Sequence, residues 1–183
     1  MNAIILAGGF GSRIKLISNG LPKALMPVGK AVYLDLLLGK IFNNNFKHIY
    51  LSLHFKPILF QDYIDNSSFK NKLTCVIEPE PLDTGGAVNY VIENSSISSS
   101  FFVMNGDSIS NINLKKMYEE FMVQNLTAMI GLSKVEDTER YGTVLSKAGK
   151  VMSFEEKGVT GPGWINNGNY IFNKEVFNKC NGA

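Results

Sequence analysis

The sequence has 183 residues, of which 45% are hydrophobic and 19% are charged, a balance that is typical of one globular domain and excludes a disordered or fibrous chain. A net charge of +2 is too small to indicate binding to nucleic acid or to a membrane surface through bulk electrostatics. No apolar stretch approaches the roughly twenty residues that span a bilayer, and the amino terminus lacks a signal-peptide pattern, so we expect a cytoplasmic protein.

The chain begins with an apolar run that leads into a glycine-rich loop. Ala3–Leu6 is continuously apolar, which predicts a strand buried on both faces of a parallel sheet. The loop after it contains Gly8, Gly9 and Gly11, which allow backbone N–H groups to turn towards a phosphate. Arg13 then supplies a guanidinium fork and Lys23 a point charge. The pattern favours a polyphosphate ligand.

Two better-known glycine loops do not fit this segment. Ile14 stands where the dinucleotide-binding fingerprint needs its third glycine, which argues against a Rossmann dehydrogenase. No Gly-Lys-Ser/Thr follows the glycines, which excludes a P-loop. A tight turn without a ligand is the remaining alternative for the glycines alone.

Further along the chain, helical and strand patterns alternate. The predicted helices are 32–46, 57–64 and 84–93, and the predicted strands are 48–53, 73–77 and 101–104. Strands that alternate with helices pair in parallel through right-handed crossovers. The sequence therefore predicts a doubly wound α/β fold.

The first motif as a whole resembles the signature of the sugar-1-phosphate nucleotidyltransferases. The resemblance lies in Leu6–Arg13, Leu21–Lys23 and Met26–Val28, with Ser12 where threonine is more common. It implies a Rossmann-like, GT-A-like fold with a mixed, mostly parallel sheet between two helical layers. It also implies one domain over 1–183, with a nucleotide-binding half at 1–110 and a sugar-phosphate-binding half at 111–183. Family members usually continue further and supply a late aspartate, so we expect either a naturally short member of the family or a chain whose C-terminal portion is missing.

A second motif, Glu78–Ala87, is similar to the nucleobase-binding stretch of this family. Asp83 takes the position of the family's usual glycine, where its side chain would crowd the base, offer it an acceptor, or only cap the following helix. The nucleotide-binding residues that the resemblance implies are Leu6, Ala7, Gly8, Gly9, Gly11, Ser12, Arg13, Lys23, Glu78, Pro81, Asp83, Thr84 and Gly85.

The remaining motifs concern the metal and the sugar phosphate. Asp107 ends a buried strand and, by resemblance to the family's Gly-Asp motif, would hold Mg²⁺; a turn or cap role is the alternative for such an aspartate alone. The sugar-phosphate residues implied by the resemblance are Asn105, Gly142, Glu156, Lys157 and Asn167. Gly158 replaces the proline that usually follows this lysine in the family.

The implied reaction joins a nucleoside triphosphate to a sugar 1-phosphate and releases pyrophosphate, with Arg13, Lys23 and Asp107 as catalytic residues. The motifs look most like those of guanylyltransferases that act on D-glycero-D-manno-heptose 1-phosphate for capsule or lipopolysaccharide synthesis. Mannose or glucose 1-phosphate and other nucleotides stay open, as do homo-oligomer formation and a non-catalytic sugar-nucleotide binding module.

Overall fold

The computed structural model describes residues 1–9 and 20–178. In chain order the strands and helices are β1 (Asn2–Leu6), β2 (Pro27–Val28), β3 (Ala31–Val32), α1 (Tyr33–Phe42), β4 (His48–Leu53), α2 (Pro57–Asp65), β5 (Leu73–Ile77), α3 (Asp83–Glu93), β6 (Ser100–Asn105), α4 (Leu114–Val123), β7 (Ala128–Val135), β8 (Thr143–Lys147), β9 (Lys150–Glu155), β10 (Gly163–Asn173) and α5 (Glu175–Asn178). Short 3₁₀ turns cover Lys23–Leu25 and Lys70–Lys72.

Four strands form a parallel half of the main sheet in the order β5-β4-β1-β6. The side chains of β1 alternate between two apolar layers: Ile5 packs with the side that holds α1, α2 and α4, and Ile4 packs with the side that holds α3. Both isoleucines are fully buried, as expected for a strand with covered faces. The predicted three-layer, doubly wound arrangement is confirmed.

The second half of the sheet is antiparallel. Strand β10 pairs in antiparallel fashion with β6, β7 and β8, and β8 pairs with β9. The small hairpin β2–β3 is a separate two-stranded sheet, and the backbone N–H of Tyr33 donates to the Met26 carbonyl at 2.9 Å. No helix in the described parts of the chain is both long and apolar enough to cross a membrane.

The prediction of one helix over 32–46 is wrong at both ends. Val32 belongs to β3, and α1 ends at Phe42, where an asparagine turn follows that includes Asn45 at φ 61°. Asparagine tolerates this left-handed conformation, which ends a helix. Phe46 is nevertheless buried, because its ring packs edge-on against Phe102 at a centroid distance of 5.0 Å.

Candidate active site

A cavity of about 380 Å³ opens at the carboxyl edge of the parallel half, next to the first turn of α3. The ends of β1, β4, β5 and β6 and the start of α3 all contribute to it, as the edge of an open α/β sheet does for ligands. The predicted residues that line it are Leu6, Gly8, Gly9, Glu78, Pro81, Asp83, Thr84, Asn105 and Asp107. Of the remaining wall residues, Leu82 and Ala87 belong to the predicted base-binding stretch, and His54 was not predicted.

Close backbone packing brings the end of β6 against the end of β1. The N–H of Gly106 donates to the Leu6 carbonyl at 2.9 Å, and a Cβ at Gly106 would lie 2.7 Å from that oxygen. A contact this short is not available to a residue with a side chain, so the position requires glycine. The approach places Asp107 beside the loop that follows β1.

Lys23 forms a hydrogen-bonded ion pair with Asp107. The Lys23 Nζ donates to the Asp107 Oδ2 at 2.7 Å, and the Ser108 hydroxyl donates to Oδ1 at 3.0 Å. Partial burial opposes ionisation of the carboxyl, but the hydrogen bond and charge of Lys23 outweigh it, so the pKa of Asp107 lies below its ordinary value. The sequence separation of 84 residues shows that the fold brings these two predicted catalytic groups together.

Tyr33 adds a feature that sequence reasoning missed. Its hydroxyl is buried and has no hydrogen-bond partner among the described residues. Burial, and then the negative charge of Asp107, raise the pKa of Tyr33 to about 12, so the phenol stays protonated at neutral pH. Tyr33 is not among the residues that line the cavity. In the sequence Tyr33 reads only as an early residue of an amphipathic helix.

Glu78 is a buried carboxylate on the cavity wall. The Ser52 hydroxyl donates to its Oε1 at 2.7 Å, and the Leu82 N–H donates to its Oε2 at 3.4 Å. The ring of His54 lies 3.3 Å from the Glu78 carbonyl oxygen through Nδ1. Two donors per carboxylate compensate part of the cost of burying it. The side chain is therefore held in one place on the wall.

Asp83 is the first residue of α3 and has φ 55°, in the left-handed region. The suggestion that it caps the helix is not borne out, because the residue before α3 is Leu82 and no side-chain capping bond forms there. Three other predicted nucleotide residues, Ala7, Lys23 and Gly85, lie outside the cavity wall; the Ala7 N–H donates to the Ser52 carbonyl at 3.0 Å. Gly11, Ser12 and Arg13 lie outside the described residues.

Among the predicted sugar-phosphate residues, Asn105 is the one on the cavity wall. It packs against Gly168, whose φ is 77° and where a Cβ would lie 2.7 Å from the Asn105 Nδ2. This glycine sits where the pairing of β10 with β7 is irregular, and the irregularity leaves room for Asn105. Asn167 precedes Gly168 in the chain, and its side-chain amide donates to the Ser133 hydroxyl at 3.3 Å.

The other three predicted sugar-phosphate residues do not line the cavity. Gly142 precedes β8, and Glu156 and Lys157 follow β9. Because Thr143 pairs with Glu155, these residues share one end of the β8–β9 hairpin. Glu156 and Lys157 are exposed there. Their proposed role would need the hairpin to contact a ligand that extends out of the cavity.

The fit of a divalent metal depends on Asp107. No group of three or more histidine, cysteine, aspartate or glutamate side chains forms a metal cage within residues 1–9 and 20–178. Mg²⁺ does not need such a cage, since it commonly binds one or two carboxylates together with substrate phosphates. Asp107 has a side chain 47% exposed at the cavity edge, which fits a metal of that kind.

Comparisons with a family model, with relatives and with a solved structure all point to nucleotidyltransferases. Residues 2–182 match the family described as nucleotidyl transferase. A D-glycero-alpha-D-manno-heptose 1-phosphate guanylyltransferase of Aneurinibacillus thermoaerophilus is 32% identical over 177 residues, which cover 97% of this chain and 76% of the relative. The mannose-1-phosphate guanylyltransferase of Mycobacterium tuberculosis is 28% identical over 182 residues, which cover 98% of this chain and 50% of the relative. The crystal structure of HddC from Yersinia pseudotuberculosis with GMP-PN is 32% identical, has a TM-score of 0.84, and is matched over 96% of this chain and 78% of that one.

Proposed function

The chain belongs to the nucleotidyl transferase family and is a sugar-1-phosphate nucleotidyltransferase, and from this premise we propose that its substrates are GTP and D-glycero-D-manno-heptose 1-phosphate. The observation that carries the proposal is the cavity at the carboxyl edge, which Gly8, Gly9, Glu78 and Asp107 line and where Asp107 is bonded to Lys23. Its volume of about 380 Å³ lies in the range of small-molecule sites. The product would be a nucleotide-sugar precursor for surface polysaccharide, made in the cytoplasm.

The chemistry follows from charge. An oxygen of the sugar phosphate attacks the α-phosphorus of the triphosphate, and pyrophosphate leaves with the electron pair of the broken P–O bond. The nucleophile is already an anion, so no general base is needed. The barrier lies in bringing two anions together, and it is lowered by positioning and by neutralising charge.

The residues take roles that fit these demands. The backbone of Gly8 and Gly9 faces the triphosphate, and Lys23 neutralises its negative charge, with Arg13 as a second cation. Asp107 would hold Mg²⁺, which supplies further charge neutralisation when it is bound together with the phosphates. We assign the nucleotide to the half at 1–110, with Glu78 and Asp83 beside the base.

The sugar phosphate is assigned to the half at 111–183 together with Asn105. Asn105 is the residue that supports this assignment best, because it lies on the cavity wall and in contact with Gly168 of β10. The half at 111–183 also contains the other predicted sugar-phosphate residues, Gly142, Glu156, Lys157 and Asn167. The names of the relatives favour heptose over mannose as the sugar, since the heptose enzyme matches at higher identity and over more of its own length.

The test is pyrophosphate release by the purified protein with Mg²⁺. GTP, ATP, CTP, UTP and dTTP are each paired with the 1-phosphates of D-glycero-D-manno-heptose, mannose and glucose. We expect the fastest release with GTP and the heptose. Faster release with another pair would correct the substrates. Nucleotide binding without release from any pair would instead make the chain a sugar-nucleotide binding module.

A further inference from the structure

The connection between β9 and β10, residues 156–162, begins with two of the predicted sugar-phosphate residues, Glu156 and Lys157. The segment that follows them is rich in glycine, and Gly158 and Gly161 have φ values of 109° and 107°, a conformation that favours glycine. Glycine loses more conformational entropy than other residues when it is ordered. Side chains on such a segment bind a ligand weakly unless the fold orders the segment beforehand.

Thr138, in the connection between β7 and β8, contacts this glycine-rich segment directly. Its hydroxyl donates to the Val159 carbonyl at 2.7 Å and, over a longer distance of 3.2 Å, to the Gly161 carbonyl. The Thr138 N–H donates to the Gly161 carbonyl at 3.0 Å. Thr138 is buried, and a Cβ at Gly163 would lie 2.8 Å from its Cγ2 atom. The two connections are therefore packed against each other around one threonine.

Two further hydrogen bonds join the connections on either side of this contact. The Gly158 N–H donates to the Glu139 carbonyl at 3.1 Å, and the Gly161 N–H donates to the Asp137 carboxylate at 3.1 Å. Because Gly158 directly follows Lys157, the first bond holds the backbone beside the lysine. Proline, which usually follows this lysine in the family, has no N–H and could not form that bond. The glycine of this chain thus supplies a donor at this position.

We propose that residues 137–139 form a clamp, with Thr138 as its positioning residue, that holds Glu156 and Lys157 ready for the sugar 1-phosphate, an inference that rests on the proposed function. The clamp orders the segment during folding, so that ligand binding does not have to supply this order. Loosening the clamp should weaken binding of the sugar 1-phosphate. It should not affect the nucleotide, which is assigned to the half at 1–110. A merely structural contact would lower stability without this difference between the two substrates.

The experiment compares the wild type with Thr138→Val and Thr138→Ser. Valine has nearly the shape of threonine but lacks the hydroxyl, whereas serine keeps the hydroxyl. We expect Thr138→Val to raise the KM for the sugar 1-phosphate by roughly threefold to tenfold, the factor that corresponds to one net hydrogen bond. The KM for GTP and kcat should stay at the wild-type values, because uniform binding of one substrate is what is lost. Thr138→Ser should restore most of the wild-type KM.

Thr143→Val is the matched control, since Thr143 is also buried but its hydroxyl has no hydrogen-bond partner among the described residues. It should leave both KM values unchanged. Backbone hydrogen exchange over residues 156–162 tests the clamp without turnover. We expect faster exchange there in Thr138→Val than in Thr143→Val, and equal exchange in the two variants would overturn the clamp.

Lys157→Ala separates this inference from the proposed function. If Lys157→Ala leaves the KM for the sugar 1-phosphate unchanged, the sugar-phosphate assignment fails, and the inference fails with it. If Lys157→Ala raises that KM and Thr138→Val does not, the inference alone is overturned. In the Lys157→Ala background, Thr138→Val should raise the KM by a smaller factor than in the wild type, because the clamp acts partly through this lysine. An equal factor in both backgrounds would contradict the proposed role.

Discussion

Replacing Lys23 with alanine separates a catalytic role from a structural one. The Lys23–Asp107 pair is short at 2.7 Å, but the two side chains are 44% and 47% exposed. Solvent screens a pair of this kind, and its contribution to the free energy of unfolding is about 0.2–1 kcal/mol. For a chain of this length that corresponds to a fall in Tm of roughly 0.4–4 °C. The fold should therefore survive the substitution.

Turnover should respond much more strongly. Removing one preorganised electrostatic donor from a reaction centre typically costs about 2.7–4 kcal/mol in the transition state, or a factor of roughly 10² to 10³ in kcat. We expect a loss of this size in Lys23→Ala with GTP and the sugar 1-phosphate, measured as the initial rate of pyrophosphate release. Thermal unfolding measured on the same sample gives the structural comparison.

Lys115→Ala is the matched control for this experiment. Lys115 pairs with Glu119 at 3.8 Å on α4, is 72% exposed, and is not part of the cavity wall. Its loss should leave both turnover and Tm close to the wild-type values. A Lys23→Ala enzyme whose kcat stays within about threefold of the wild type would refute the electrostatic role of Lys23. A large fall in Tm would refute the estimate of its structural contribution.

Three further predictions concern stability. Asp83→Gly should raise the free energy of unfolding by about 1 kcal/mol, because it relieves the positive φ of Asp83; an unchanged or lower Tm would contradict this. Gly106→Ala should lower that free energy by about 1–3 kcal/mol, since its Cβ would lie 2.7 Å from the Leu6 carbonyl oxygen, and urea unfolding measures the change. The pKa of Asp107 is lower in the folded protein than in the unfolded chain. Its contribution to the free energy of unfolding is therefore fully present above the pKa of the unfolded chain and is lost as the pH falls through the pKa of the folded protein. Acid unfolding should consequently show a smaller pH dependence in Lys23→Ala than in the wild type.

The parallel half of the fold was predictable from the sequence because its strands are short apolar runs bounded by turn residues. The bounds of β4 and β5 agree with the prediction, and β1 differs by one residue. The antiparallel half gave no such signal. Every residue of β9 is exposed, so its side chains show no buried pattern, and β10 contains several polar residues around Gly168, where its pairing with β7 is irregular.

The candidate site was predictable where one rule applied: residues at the carboxyl ends of parallel strands meet at one edge. That rule brought Glu78, Asn105 and Asp107 together. The burial of the Tyr33 hydroxyl depends on how the β2–β3 hairpin and α1 pack, which no local pattern indicates. The roles assigned to Glu156 and Lys157 remain predictions, because these residues lie on the β8–β9 hairpin and outside the cavity wall.

Strand β10 has a mechanical consequence for the enzyme cycle. It forms a ladder of five residue pairs with β6, from Asn169↔Met104 to Asn173↔Ser100, and it also pairs with β7 and β8. A hinge rotation between the parallel and antiparallel halves would have to break that ladder. Substrate entry and product release should therefore leave this ladder intact and should not need the two halves of the sheet to rotate against each other.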